Sequence, residues 1–273
     1  MMKVKKERVD VLLVERGLCE TREAAKRAIM AGIVYTETER LEKPGVKIPA
    51  DSPLTVKGNA SKYVSRGGLK LEKALDVFDV EVQGKLLLDI GASTGGFTDC
   101  ALQNGARHSY ALDVGYNQLA WKMRQDPRVT VMERFNFRHA KPEDFTEGLP
   151  EVATIDVSFI SLRLILPVLH TVLVPGGDVI ALVKPQFEAG KDRVGKKGIV
   201  RDPKVHEEVL AVIASFAEET GFGLMDAAYS PITGGEGNIE FLFHLKSGTR
   251  SGQAEDRSPE SFRRLVTEAH NAL

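Results

Sequence analysis

The spacing of apolar residues changes once along the chain, near residue 60. Before that point, Val9, Leu12 and Leu13 recur at helical spacing in Arg8-Val-Asp-Val-Leu-Leu-Val-Glu-Arg16, and Gly17 follows as a stop. Thr21 is placed to cap a second helix over 22–31, and Gly32 to end it in the left-handed conformation. Residues 33–36 and 54–56 read as short strands. Residues 1–60 are therefore predicted as a small α+β domain, closed by a linker at Gly58-Asn59-Ala60-Ser61.

Beyond the linker the pattern becomes strand, glycine-rich turn, helix, repeated. Apolar runs predict strands at 86–89, 108–113, 129–132, 152–156 and 178–183, with helices over 96–103, 118–123 and 161–169. Asp202-Pro203 caps a long helix to residue 220, and strands at 222–229 and 240–245 follow. This alternation predicts an α/β domain over 61–250: a Rossmann-like, mostly parallel sheet with helices on both faces. After a polar connector over 247–257, Ser258-Pro259-Glu260 starts a last helix, within 251–273, that packs on or extends that domain. No internal repeat is visible.

Composition narrows the class. Of 273 residues, 42% are hydrophobic and 27% charged, the range of a globular chain. A formal net charge of -1 gives no global field for nucleic acid, so any such site must come from local clusters. Cys19 and Cys100 sit in no metal-ligand or redox spacing, so no metal is expected and a reducing cytoplasm is the expected location. The charged start, Met1-Met2-Lys3-Val4-Lys5-Lys6, is no signal peptide, and the apolar run 164–174 is too short to span a bilayer. A soluble monomer or weak dimer is expected.

The strongest motif is Asp89-Ile-Gly91-Ala92-Ser93-Thr94-Gly95-Gly96-Phe97, where a strand ends in an acid and enters a glycine-rich turn that opens a helix. Such a turn lets backbone approach a ligand closely. One strand later Asp113 is placed to hold ribose hydroxyls of an adenosine moiety. The spacing is not the GxGxxG of pyrophosphate binders, which favours S-adenosylmethionine (SAM) over NAD. Asn136 and Asp156 complete the expected cofactor set.

Four polar residues stand where strand tips or core elements are usually apolar or neutral: Lys70, Asp156, Lys184 and Glu240. Carboxyl ends of parallel strands face the ligand crevice, so Asp156 and Lys184 are expected to point into it together. A ribose 2′-hydroxyl must lose its proton as a methyl group arrives. A lysine whose pKa is lowered by burial and a neighbouring cation can take that proton. Lys184 beside Lys70 fits that need, with Asp156 and Glu240 orienting the two amines.

On these residues the larger domain resembles the FtsJ-like 2′-O-ribose methyltransferases, which carry a Lys-Asp-Lys-Glu tetrad in this order. The glycine turn is similar to that family's SAM turn, with Thr94 where a proline is common. The small domain resembles the S4 RNA-binding domain, in Arg8-Val-Asp, Gly17-Leu18, Thr21-Arg22, Ala25 and Ile29-Met-Ala-Gly32-Ile-Val. Their fusion, with Tyr63-Val-Ser-Arg-Gly-Gly, Leu182-Val-Lys-Pro-Gln-Phe and Gly198-Ile-Val-Arg-Asp-Pro, is similar to the TlyA family. That family carries two descriptions, ribosomal RNA 2′-O-methyltransferase and haemolysin. The resemblance covers residues 8 to about 245. It implies methylation of a cytidine 2′-hydroxyl in rRNA, free or in assembled subunits, and the tail over 247–273 suggests the longer, dual-site type.

Two basic areas fit an RNA substrate. Residues 1–60 carry net +3, with Arg8, Arg22 and Lys26 as candidate contacts and Lys3, Lys5 and Lys6 adding charge at the start. Residues 184–204 carry net +4, with Lys191, Arg193, Lys196 and Lys197 in a glycine-containing stretch expected to form a mobile loop over the crevice. Arg66 is a further candidate. An rRNA substrate needs several phosphate contacts, and recognition by structure rather than base edges alone is expected. Other functions fit less well. A membrane-lytic protein needs an amphipathic or spanning segment, and none stands out. An amino-methylating enzyme would carry prolines that Asp156-Val-Ser-Phe159 lacks, and cytosine C5 chemistry would need a cysteine near this tip. A catalytically dead adaptor would not need an intact tetrad.

Overall fold

The computed structural model describes residues 6–19, 21–30, 32–37, 39–41, 43–57, 62–249 and 258–273. Lys3, Lys5, Ala31, the expected linker at 58–61 and most of the connector lie outside them. The chain forms two compact units, residues 1–62 and 63–273.

In the first unit, β1 (Lys6–Arg8) leads into α1 (Val9–Glu15), and α2 (Arg22–Met30) precedes β2 (Val34–Tyr35), β3 (Lys47–Pro49) and β4 (Thr55–Val56). Thr21 caps α2 as expected, its Oγ1 accepting the N–H of Ala24 at 3.1 Å. β2 pairs with β4, as the two expected strands allow. The β1–β3 pair was not expected, because Lys6-Glu-Arg8 and Lys47-Ile-Pro49 lack the β-branched alternation of a strand. Val9, Leu12, Leu13, Ala25, Ala28 and Ile29 close a core between the two helices. Below it Asp10, fully buried, accepts from Arg8 and from Arg22, each at 2.9 Å.

The second unit is built on a seven-stranded sheet. Helix α3 (Gly68–Val77) comes first. Then follow β5 (Leu86–Ile90), α4 (Gly96–Gln103), β6 (His108–Asp113), α5 (Trp121–Arg124), β7 (Val129–Glu133), β8 (Val152–Ile155), α6 (Leu166–Val172), β9 (Asp178–Val183), α7 (Pro185–Glu188), α8 (Pro203–Glu219), β10 (Phe222–Tyr229), β11 (Phe241–Ser247) and α9 (Pro259–Ala272). The spatial order is β10-β11-β9-β8-β5-β6-β7. Strands β5 to β9 run parallel; β11 pairs antiparallel with β9, and β10 pairs antiparallel with β11, which returns β10 to the direction of the others. Apolar clusters fill both faces of the sheet, as a buried parallel sheet requires.

Two helices differ from the reading of the sequence. The one expected over 161–169 is a 3₁₀ turn, Leu162–Leu164, followed by α6, because Pro167 is tolerated only in a helix's first turn. The one expected over 118–123 shortens to α5. The stretch 190–198 contains two 3₁₀ turns, Lys191–Arg193 and Lys196–Gly198.

From β5 the chain crosses outward to β6 and β7, then returns to the other side of β5 to place β8 and β9. The reversal leaves a crevice beyond the carboxyl ends of β5 and β8, where ligands bind in open α/β sheets. Among the described residues no helix is long and apolar enough to cross a membrane, and no group of His, Cys, Asp and Glu could hold a metal ion.

Candidate active site

At that crevice the glycine turn is forced to be glycine. Gly91 has φ +86°, and a Cβ there would lie 2.5 Å from the carbonyl oxygen of Asp156. Gly96 begins α4, and a Cβ there would collide with the Ser65 hydroxyl. Asp89, fully buried, fixes the turn from beneath. It accepts the Thr98 N–H at 3.1 Å, the Thr98 hydroxyl at 2.8 Å and the Thr154 hydroxyl at 3.1 Å. Burial pushes its carboxyl up to about 6 against the pull of those threonine bonds.

The four polar residues meet. Lys184 follows the end of β9, and Glu240 precedes the start of β11. The two strands are antiparallel with Phe241 opposite Val183, which sets Lys184 and Glu240 beside each other. Asp156 follows the end of β8, the next strand. Lys70 comes from the first turn of α3. The Lys70 ammonium lies 2.6 Å from Glu240 and 3.5 Å from Asp156, and the other oxygen of Asp156 pairs with Lys184. Lys70 and Lys184 are each 7% exposed and Glu240 2%, so the group is largely desolvated. Burial works against the charge on Asp156, but Lys184 and Lys70 outweigh it and hold the carboxyl below the usual carboxylate range. Ser158 accepts from Lys184 at 3.4 Å, and the Gln186 amide donates to Glu240 at 3.2 Å.

All four line one cavity of about 680 Å³. Of the expected cofactor residues, Asp89, Gly91, Ala92, Ser93, Gly96, Phe97 and Asp156 line it too. Gly95, Asp113 and Asn136 do not. A Cβ at Gly95 would point at Leu119, and Asn136 caps the 3₁₀ turn Phe137–His139. Asp113 receives the N–H groups of Ser93 at 2.8 Å and Gly115 at 2.7 Å, and so shapes the turn's outer side.

Of the expected RNA contacts, Arg66 and Lys197 line the cavity. Lys191 and Lys196 are exposed beyond it, and Arg193 pairs with Glu208. In the first unit Arg8 and Arg22 pair with Asp10, and Lys26 pairs with Glu23. Reading the sequence passed over Phe159 and Phe187. Their ring centroids lie 5.0 Å apart in the cavity lining, and Phe159 is 90% exposed with φ +63°. A phenylalanine so placed has no packing reason. The signal was in Asp156-Val-Ser-Phe159, an aromatic three residues after the acid that follows a strand.

The match to known proteins covers both units. The model of the FtsJ-like methyltransferase family matches residues 63–247, and that of the S4 domain residues 7–52. YqxC of Bacillus subtilis, which carries a provisional rRNA methyltransferase name, is 67% identical over 272 residues, 100% of this chain and 97% of its own. The 16S/23S rRNA (cytidine-2′-O)-methyltransferase TlyA of Mycobacterium tuberculosis is 40% identical over 262 residues, 96% of this chain and 97% of its own. A solved structure from Streptococcus thermophilus, provisionally named a hemolysin, is 56% identical, covers 99% of this chain with 98% of its own, and superposes with a TM-score of 0.77. With the tetrad assembled beside a glycine turn and an S4 unit ahead of it, the chain belongs to the TlyA family of FtsJ-like methyltransferases.

Proposed function

We propose that this protein transfers a methyl group from SAM to the 2′-hydroxyl of a cytidine in ribosomal RNA, with Lys184 as general base. The observation that carries the reading is the chain of ion pairs Glu240–Lys70–Asp156–Lys184, buried in the same cavity as the glycine turn. The rRNA substrate and the cytidine are taken from the name of the TlyA relative.

The cavity's residues fit SAM. Gly91 and Gly96 leave backbone free of side chains along one wall, and Asp89 fixes that wall. Bound there, SAM supplies an electrophilic methyl group. The chain's own residues do the rest. Lys70 is held by two carboxylates, whereas Lys184 has only a share of Asp156. Lys184, the amine with fewer counter-charges around it, is therefore the one proposed to accept the hydroxyl proton. Lys70 remains an ammonium, fixes Asp156 and Glu240, and keeps the site near electrical neutrality. Phe159, exposed beside Phe187, offers a ring face to an unstacked base, the usual way a protein grips single-stranded RNA. Arg66 and Lys197 are placed for phosphates at the rim.

The S4 unit, residues 1–62, is the proposed RNA grip, and 63–249 with the C-terminal helix the proposed catalytic domain. Work on ribosomes would place the enzyme in the cytoplasm. The test is methyl transfer from labelled SAM to unmodified ribosomal subunits and to free rRNA, followed by nuclease digestion and mass spectrometry of the nucleosides. Recovery of 2′-O-methylcytidine is expected. Label on a base, or none on RNA, ends the reading. Leakage of dye from liposomes at protein concentrations that saturate RNA would instead favour the membrane-active alternative.

A further inference from the structure

Behind the cavity lies a buried polar chain that the methyl-transfer chemistry does not use. His206, on α8, is fully buried. Its Nε2 is 3.2 Å from the carbonyl oxygen of Val200, and its Nδ1 is 3.1 Å from Nε2 of His270 on α9. A carbonyl only accepts, so His206 carries its hydrogen on Nε2 and accepts at Nδ1, and His270 donates. The Val200 N–H donates to Oδ1 of Asn238 at 3.1 Å. The Asn238 amide, 3% exposed, donates to the carbonyls of Gly198 at 2.9 Å and Gly235 at 3.0 Å. Gly198 and Gly235 line the cavity, as do their neighbours Lys197 and Glu236. Hydrogen bonds therefore run from the C-terminal helix to two separate segments of the cavity wall.

Packing alone does not explain the imidazole. Burial holds His206 far below its usual range, and a phenylalanine would fill the same space against Phe241 without that cost. What the bonds reach supplies the reason. Gly234 sits so close to the Glu240 carboxylate that a Cβ would not fit between them. Any shift of the turn around Gly234 is therefore passed to Glu240, and from Glu240 to Lys70.

We propose that the His206–His270 pair is a positioning device through which helix α9 holds Lys197 and the Gly234–Asn238 turn in register with the Lys70–Glu240 ion pair. Its effect on catalysis rests on the methyltransferase reading above; its effect on the wall does not. The test compares His270→Phe, which keeps a ring and deletes the donor, with His270→Gln, which keeps an N–H at similar reach. Amide hydrogen exchange and single-turnover methyl transfer to unmodified subunits are measured on the full chain. In His270→Phe, exchange at 196–200 and 234–238 should rise about tenfold with the glycine turn at 91–96 unchanged, the effect of one lost hydrogen bond. The rate on RNA should fall by about the same factor, while the SAM dissociation constant stays fixed. His270→Gln should restore both. Wild-type exchange at both segments in His270→Phe overturns the proposal. So does a His270→Gln variant as impaired as His270→Phe, which would assign the residue to packing. Wild-type protein that methylates no RNA would sink the catalytic reading, and the exchange data would still judge the coupling.

Discussion

Replacing Lys184 by arginine separates the two jobs this residue could have. A guanidinium keeps the positive charge facing Asp156 but cannot accept a proton at any working pH. If Lys184 only neutralises Asp156, arginine does that as well and turnover survives. If Lys184 is the base, the loss is the contribution of a positioned general base, about 10²–10⁴-fold, or roughly 3–5 kcal/mol on the barrier. The structure bounds the side effects. Lys184 is 7% exposed, so the bulkier head must displace neighbours, at about 1–3 kcal/mol of stability. That lowers the melting temperature by several degrees and leaves the fold intact at 25 °C. The wall proposed to hold SAM belongs to β5 and α4, two strands away from β9, so the SAM dissociation constant should change less than threefold. Lys184→Ala should lose turnover as well and keep SAM binding. Single-turnover transfer of labelled methyl to saturating unmodified subunits, with calorimetry of SAM binding on the same samples, reads both quantities. An arginine variant within tenfold of wild type would remove Lys184 from the role of base.

Three other perturbations follow from the same geometry. Gly91→Ala places a methyl 2.5 Å from the Asp156 carbonyl at a backbone φ of +86°; SAM binding should drop below detection by calorimetry while circular dichroism still shows a folded chain. His206 is held at about 4 in the folded protein against 6.5 for a free histidine, so the unfolded chain binds the extra proton between those values. Stability is then fully present above pH 6.5 and lost as pH falls through 4, and urea unfolding of His206→Phe should lack that step, which amounts to roughly 2–3 kcal/mol. Asp10 is held at about 2 by Arg8 and Arg22 against burial, so it stabilises the S4 unit above pH 4 and stops doing so as pH falls through 2; Asp10→Ala should raise amide exchange throughout α2 by at least tenfold at pH 7 and leave β5 to β9 unchanged.

What could be read in the sequence was what a local pattern encodes. The strands of the large sheet, the glycine turn and the proline-started helices each carry their signal within a few residues, and the structure places them within a residue or two. Elements defined by a partner escaped. Lys6-Glu-Arg8 is a strand only because Lys47–Pro49 lies beside it. The roles of charged residues divided the same way. Arg8 and Arg22 read as candidate RNA contacts, and both also close on Asp10, a pairing across α1 and α2 that no local pattern encodes. Asp89 read as a ligand-binding acid; it lines the cavity, and what the sequence did not show is that its carboxylate also accepts from Thr98 and Thr154. Phe159 was passed over because an aromatic after the Asp156 tip reads as core, and only the fold leaves its ring in solvent.

The convergence of the tetrad has a simple cause in the sheet. In an all-parallel order the tips of β8 and β9 would bring only Asp156 and Lys184 to the crevice, since a further parallel strand presents its start at the opposite edge. Reversing β11 brings a strand start to the same edge as the strand ends, and the pairing of Phe241 with Val183 sets its register. The residue just before that start can then be the carboxylate that holds Lys70. Without it, Lys70 and Lys184 would share the single carboxylate of Asp156, and two buried ammonium groups on one counter-charge are costly. With it, the amines and carboxylates balance in number, so the cluster can be buried. The antiparallel strand is thus the step in the fold that lets two lysines be buried in one site, the arrangement on which the proposed role of Lys184 depends.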